Sequence, residues 1–93
     1  MITVTDVKIY PFEPGEVFKN LRAYAEVTLN DSLVIKGIRV LENENGGLYI
    51  GFPSQMVKEN EYRDLIVPKT PELKKHLRDQ IIKSYKEQLP PSP

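Results

Sequence analysis

The chain of 93 residues has no cysteine and a single histidine, His76. The first absence removes disulfide staples, thiolate nucleophiles and cysteine-ligated zinc together. The second leaves His76, between Lys75 and Leu77, with no partner spacing for a metal or for a nucleophile's base. Long apolar runs are also missing, since nothing approaches the roughly 20 residues that span a bilayer. The opening Met-Ile-Thr-Val-Thr-Asp has no basic flank leading into an apolar stretch. A soluble, cytoplasmic protein without membrane insertion is the expectation. Nor is there an excess of either charge: 13 Lys/Arg balance 13 Asp/Glu. No global field draws the chain to DNA or anionic lipid, and any polyanion site must be a local patch.

What is present fits one small domain, residues 1–89, followed by a proline-rich tail at 90–93 that has little to bury and is expected to fray. A domain this size buries only about 60 to 65 % of its unfolded surface, so association between copies is a reasonable expectation.

Ile2 to Tyr10 is rich in β-branched residues. Ile2 and Val4 lie on one parity and Val7 and Ile9 on the other, which predicts a strand covered in part on both faces. Pro11 and Pro14-Gly15 end it. Leu21, Ala23, Ala25, Val27 and Leu29 alternate with Arg22, Tyr24, Glu26 and Thr28, the period of a half-buried antiparallel strand. Asn30-Asp31-Ser32 supplies turn chemistry. In Leu33 to Leu41 the apolar parity changes at Gly37, where a bulge is easiest. A second glycine-containing turn, Glu42 to Gly47, precedes Leu48, Ile50 and Phe52, and Pro53 stops that strand. Tyr62 to Val67 reads as a short fifth strand or an extended return, with a polar excursion before it. Thr70-Pro71-Glu72 signals a helix start. Leu73, Leu77, Ile81 and Tyr85, with Ile82 beside them, form the buried stripe of a helix approximately 27 Å long if it runs about 18 residues. The fold class is therefore α+β: an antiparallel meander of four to five strands with a C-terminal amphipathic helix.

Chemistry-bearing motifs are few. Asn45-Gly46-Gly47 to Ser54 lacks the Gly-Lys-Thr/Ser ending of a phosphate loop. Ser54 has no glycine elbow. Asp6, Asp31, Glu61 and Asp64 form no spacing that demands a metal. No nucleophile, base and orienter assemble, so neither an enzyme, a cofactor nor a metal site is expected. Arg39, on the parity opposite Ile38 and Val40, reads as a solvated or interface arginine, with stacking or phosphate contact as the alternative. From Lys69 to Glu87, Lys69, Lys74, Lys75, Arg78, Lys83 and Lys86 outnumber Glu72, Asp79 and Glu87, giving a mildly basic helix face.

Several stretches in order resemble the SpoVG family, the stage V sporulation protein G or septation regulators of bacteria. They are "VTDV" at Val4 to Val7, "LRAYAEVTLNDSLVIKGIRVL" at Leu21 to Leu41, "NGGLYIGFPS" at Asn45 to Ser54 and "EYRDLIVP" at Glu61 to Pro68. The resemblance implies a homodimer whose sheet continues or packs across subunits. It also implies a regulatory role in septation, sporulation or gene expression, exercised by binding DNA or RNA.

Three departures accompany it. The basic pair that commonly follows Pro-Ser in the family is Gln55-Met56 here, the histidine before the last proline is Val67, and Phe12 to Asn20 is longer than usual. The nucleic-acid role thus falls to Lys58, Arg63, Lys69, Lys74, Lys75 and Arg78. The alternative is an interaction module in which a sheet edge or Met56, Val57 and Tyr62 dock a division or regulatory protein.

Overall fold

A computed structural model describes residues 2–11 and 20–88. The stop at Pro14-Gly15, most of the long segment from Phe12, and the tail at 90–93 lie outside these residues. Six strands and one helix follow in order: β1 (Val4–Pro11), β2 (Leu21–Leu29), β3 (Leu33–Glu42), β4 (Leu48–Gly51), β5 (Ser54–Lys58), β6 (Glu61–Asp64) and α1 (Pro71–Gln88). The first four form an antiparallel sheet in sequence order, and β5 and β6 form a separate hairpin. The α+β class and the four-strand meander agree with the sequence.

The strict alternation of β2 builds the core. Ala23, Ala25, Val27 and Leu29 are buried on one face, together with Ile9, Ile35, Ile38 and Val40 from its neighbours. Bulges keep that face apolar. Gly37, at φ 80°, sits where the β2–β3 register shifts, so Ile35 and Ile38, three residues apart, both point inward. The parity change in β1 has the same cause, which corrects the expectation of two covered faces. A register shift between Val4 and Asp6 brings Val4, Val7 and Ile9 opposite Leu29, Val27 and Ala25, all on the core side. A third shift, between Leu21 and Ala23, turns Leu21 toward the opposite face, where it pairs with Leu41.

The turns are as the sequence indicates. Asn30 and Asp31 both have φ 51°, and the Ser32 N–H reaches the Leu29 carbonyl at 2.9 Å. In the second turn the Asn43 side-chain carbonyl accepts from the Asn45 and Gly47 amides at 3.0 and 2.8 Å.

The helix covers the inner face. Thr70 Oγ1 accepts the Leu73 N–H at 3.1 Å, the N-cap bond that the threonine predicts. Leu77, Ile81 and Tyr85 are buried against the sheet, with Leu73 packed beside them. At its last residue the Gln88 amide accepts from the Ile9 N–H at 3.2 Å and donates to the Val7 carbonyl at 3.1 Å. A side chain thus satisfies two edge groups of β1, where a further strand would otherwise pair.

The hairpin departs from the expected fifth strand. The stretch read as a polar excursion is itself β5, and its partner is Glu61–Asp64 rather than the whole of Tyr62 to Val67. Asn60, at φ 62°, makes the reversal. Every residue of both strands is exposed, and neither strand lies against the sheet or the helix. The pair projects as an arm, closed at its base by the Leu65 N–H on the Pro53 carbonyl at 2.8 Å.

Ile81→Ala removes a fully buried side chain at the centre of the helix–sheet seam and is expected to cost about 2–5 kcal/mol, whereas Ile82→Ala, half-buried, costs clearly less. Urea unfolding followed by far-ultraviolet circular dichroism measures the difference. Equal losses at the two positions would contradict the seam described here.

Candidate nucleic-acid interface

The six cations singled out from sequence fall into two groups. Lys58 and Arg63 lie on the arm, with Lys58 opposite Glu61 and Arg63 opposite Gln55. Lys74, Lys75 and Arg78 lie on the first half of α1, and Lys69 precedes it. All six are exposed. Because the arm does not touch the helix, the fold does not bring the two groups together.

Their surroundings differ in charge. On the arm, Glu59, Glu61 and Asp64 outnumber Lys58 and Arg63, so a phosphate backbone meets a slightly acidic ribbon. Met56 faces Tyr62 across the ribbon, and these side chains are 59 % and 64 % exposed. That is an apolar contact face. Around the helix start the balance is reversed, since Lys69, Lys74, Lys75 and Arg78 meet Glu72 and Asp79. Lys74 and Arg78 are one turn apart and share a face. Arg78 Nε donates to Asp79 Oδ1 at 3.3 Å, an exposed pair that leaves most of its guanidinium donors free for phosphate.

A second polar feature borders the core. Arg22 and Glu42 pair at 2.8 Å near the phenol of Tyr85. Burial pushes the Tyr85 hydroxyl above its ordinary value, Arg22 pulls it back, and Glu42 adds to the rise. An open depression of about 760 Å³ lies there, lined by this pair with Asn20, Asn43, Glu44 and Tyr49. Arg22 and Glu42 neutralise one another there, and Glu44 adds a carboxylate to the rim.

The sheet face away from the helix was the least legible part from sequence. Tyr10 lies opposite Tyr24, Tyr24 opposite Arg39, and Arg39 opposite Gly51, forming one row across the four strands. Alternation places each of these residues outside the core, but only the register reveals that they are neighbours.

A four-stranded antiparallel meander with one C-terminal helix across its inner face, an exposed hairpin arm and a basic helix start define a small α+β class. No helix among the described residues is long and apolar enough to cross a bilayer. The SpoVG family profile matches residues 2–87, and the chain belongs to the SpoVG family. It is 37 % identical over 82 residues to a Fusobacterium nucleatum protein named "Putative septation protein SpoVG", covering 88 % of this chain and 86 % of that one. A protein of the same name from Archaeoglobus fulgidus is 32 % identical over 88 residues, covering 95 % and 99 %. One from Treponema denticola is 33 % identical over 82 residues, covering 88 % and 84 %.

The raised Tyr85 value carries a pH consequence. Its neutral phenol is favoured in the fold, so this contribution to stability is complete below the unfolded value of about 10 and is lost as pH rises through the higher folded value. Between pH 9 and 11 the urea midpoint of the native protein is expected to fall more steeply than that of Tyr85→Phe. Parallel profiles would remove Tyr85 as the cause.

Proposed function

We propose that the chain is a homodimeric, non-enzymatic regulator of septation or sporulation-type control that binds DNA or RNA through the cations at the start of its helix. The septation role is taken from the names of its relatives. The observation that carries the binding surface is the exposed cluster of Lys69, Lys74, Lys75 and Arg78 around one helix end in a chain of zero net charge. The acidic surplus on the arm moves the emphasis away from Lys58 and Arg63, whose role becomes secondary.

The arm supports the dimer. A lone two-stranded hairpin is marginal in water, and this one keeps Met56, Val57 and Tyr62 exposed with no other strand or helix among the described residues against it. A second copy covering that apolar face offsets both deficits. Extension of the sheet through β1 is disfavoured because Gln88 already occupies edge groups there.

The same apolar, slightly acidic face favours a second reading, in which the arm docks a division or regulatory protein. Sedimentation separates the two. A dimer that becomes monomeric in Met56→Ser/Tyr62→Ser supports the first, and a wild-type monomer at tens of micromolar leaves the arm to another protein.

Fluorescence anisotropy with labelled duplex DNA and single-stranded RNA at two salt concentrations tests the nucleic-acid surface. Lys74→Ala/Lys75→Ala/Arg78→Ala is expected to weaken binding and to shallow the salt slope by about 0.9 for each duplex phosphate that is no longer neutralised. Lys58→Ala/Arg63→Ala is expected to change both less. An unchanged slope in the helix variant would reject this surface.

A further inference from the structure

The outer face of the four-stranded sheet carries a cation that forms no ion pair with the described residues. Arg39 is half-buried there, and its Nη2 donates to the Phe52 carbonyl at 3.3 Å. One neutral acceptor satisfies one of five guanidinium N–H groups. A Cβ placed on Gly51, directly across the strand pair, lies 2.7 Å from Arg39 Nη2 and 3.0 Å from Cζ, so a side chain there displaces the guanidinium from its present seat.

The surroundings are aromatic. Tyr24 stands opposite Arg39 on β2, and Tyr49 projects from β4 opposite Leu41 on the same face. Both are 39 % exposed, while Leu21 beneath them is only 3 % exposed. Together with Asn20, Leu41 and Gly51 they line a depression of about 440 Å³. The Tyr49 hydroxyl accepts from Asn20 Nδ2 at 3.2 Å, which steadies that rim. Glu26, two residues along β2 from Tyr24, is engaged by Lys36 at 3.9 Å and by the Tyr10 hydroxyl at 3.3 Å. That carboxylate is thus directed to other partners.

A ligand that satisfies all of this has a planar face for the tyrosines and an anion for the guanidinium. We propose that the depression binds a nucleotide unit, its base against Tyr24 or Tyr49 and its phosphate on Arg39. Aromatic rings on an open sheet stack unpaired bases with little regard to sequence, and arginine grips phosphate through paired donors. The unit can belong to a free mononucleotide or to a single strand. A duplex does not qualify, because its bases are already stacked inside the helix. This site is separate from the helix cations and goes beyond the function proposed above.

The experiment uses the full chain with a fluorescein-labelled twelve-residue oligothymidylate, uridine monophosphate by calorimetry, and a labelled duplex. Binding of the single strand, the mononucleotide or both is expected to weaken at least tenfold in Arg39→Gln and in Tyr24→Leu/Tyr49→Leu. A smaller loss is expected in Gly51→Ala, where the added methyl displaces the guanidinium. Arg39→Lys keeps the charge and is expected to recover only part of the affinity. Circular dichroism melting of each variant establishes that it is folded. Mononucleotide binding with the same Arg39 dependence assigns the site to free nucleotide, and binding of the oligomer alone assigns it to single strands. The proposal is overturned if the wild type binds neither, or if folded Arg39→Gln and Tyr24→Leu/Tyr49→Leu bind as the wild type does. Duplex binding that survives Arg39→Gln but fails in Lys74→Ala/Lys75→Ala/Arg78→Ala leaves the helix reading intact whatever happens here.

Discussion

The seam between the helix stripe and the inner sheet face is the contact on which the rest of the molecule depends. Leu77, Ile81 and Tyr85 from one side meet Ala23, Ala25, Val27, Ile38 and Val40 from the other, within the one buried cluster that the described residues form. Each large side chain removed from water there contributes on the order of 1.5–3 kcal/mol. In a chain this short such terms decide whether the fold exists at all. The small alanines of β2 let the helix approach closely, while the larger side chains of β3 and α1 fill the space.

That single seam explains the irregularities of the strands. Chain alternation has a strict period of two, and the apolar residues of β1 and β3 do not keep it. Bulges near Thr5 and at Gly37 restore their direction, so the core stays continuous at the cost of a ladder position in each strand. The bulge at Arg22 has the opposite effect. It turns Leu21 out of the seam and makes it the floor of the outer depression. Gln88 extends the same economy to the sheet edge, fastening the end of the helix to β1 with two hydrogen bonds.

One covered face leaves another open, and the surfaces available for recognition follow from that. The helix start presents cations, the arm presents an apolar ribbon with an acidic surplus, and the outer sheet face presents tyrosines around Arg39. Membership of the SpoVG family places these surfaces on a scaffold shared with proteins named for septation. Gln55 and Met56 lie on the exposed strand β5, where Met56 stands opposite Tyr62.

Much of this was legible in the chain itself. The alternation of Ala23 to Leu29, the Asn30-Asp31 turn, the bulge at Gly37, the Thr70 cap and the stripe from Leu73 to Tyr85 are local patterns. Each is set by backbone sterics or by the period of one element, and each appears in the structure where the sequence places it. Other features depend on what lies across a gap in sequence. The pairing of Ser54–Lys58 with Glu61–Asp64 was hidden because strands exposed on both faces carry no alternation. The separation of Lys58 and Arg63 from the helix cations, the tether from Gln88 to β1, and the row from Tyr10 to Gly51 are set by register and packing. Periodicity in a sequence reports which side of its own element a residue occupies. Only the tertiary fold decides which residue of another strand stands beside it, because that neighbour is chosen by the whole core.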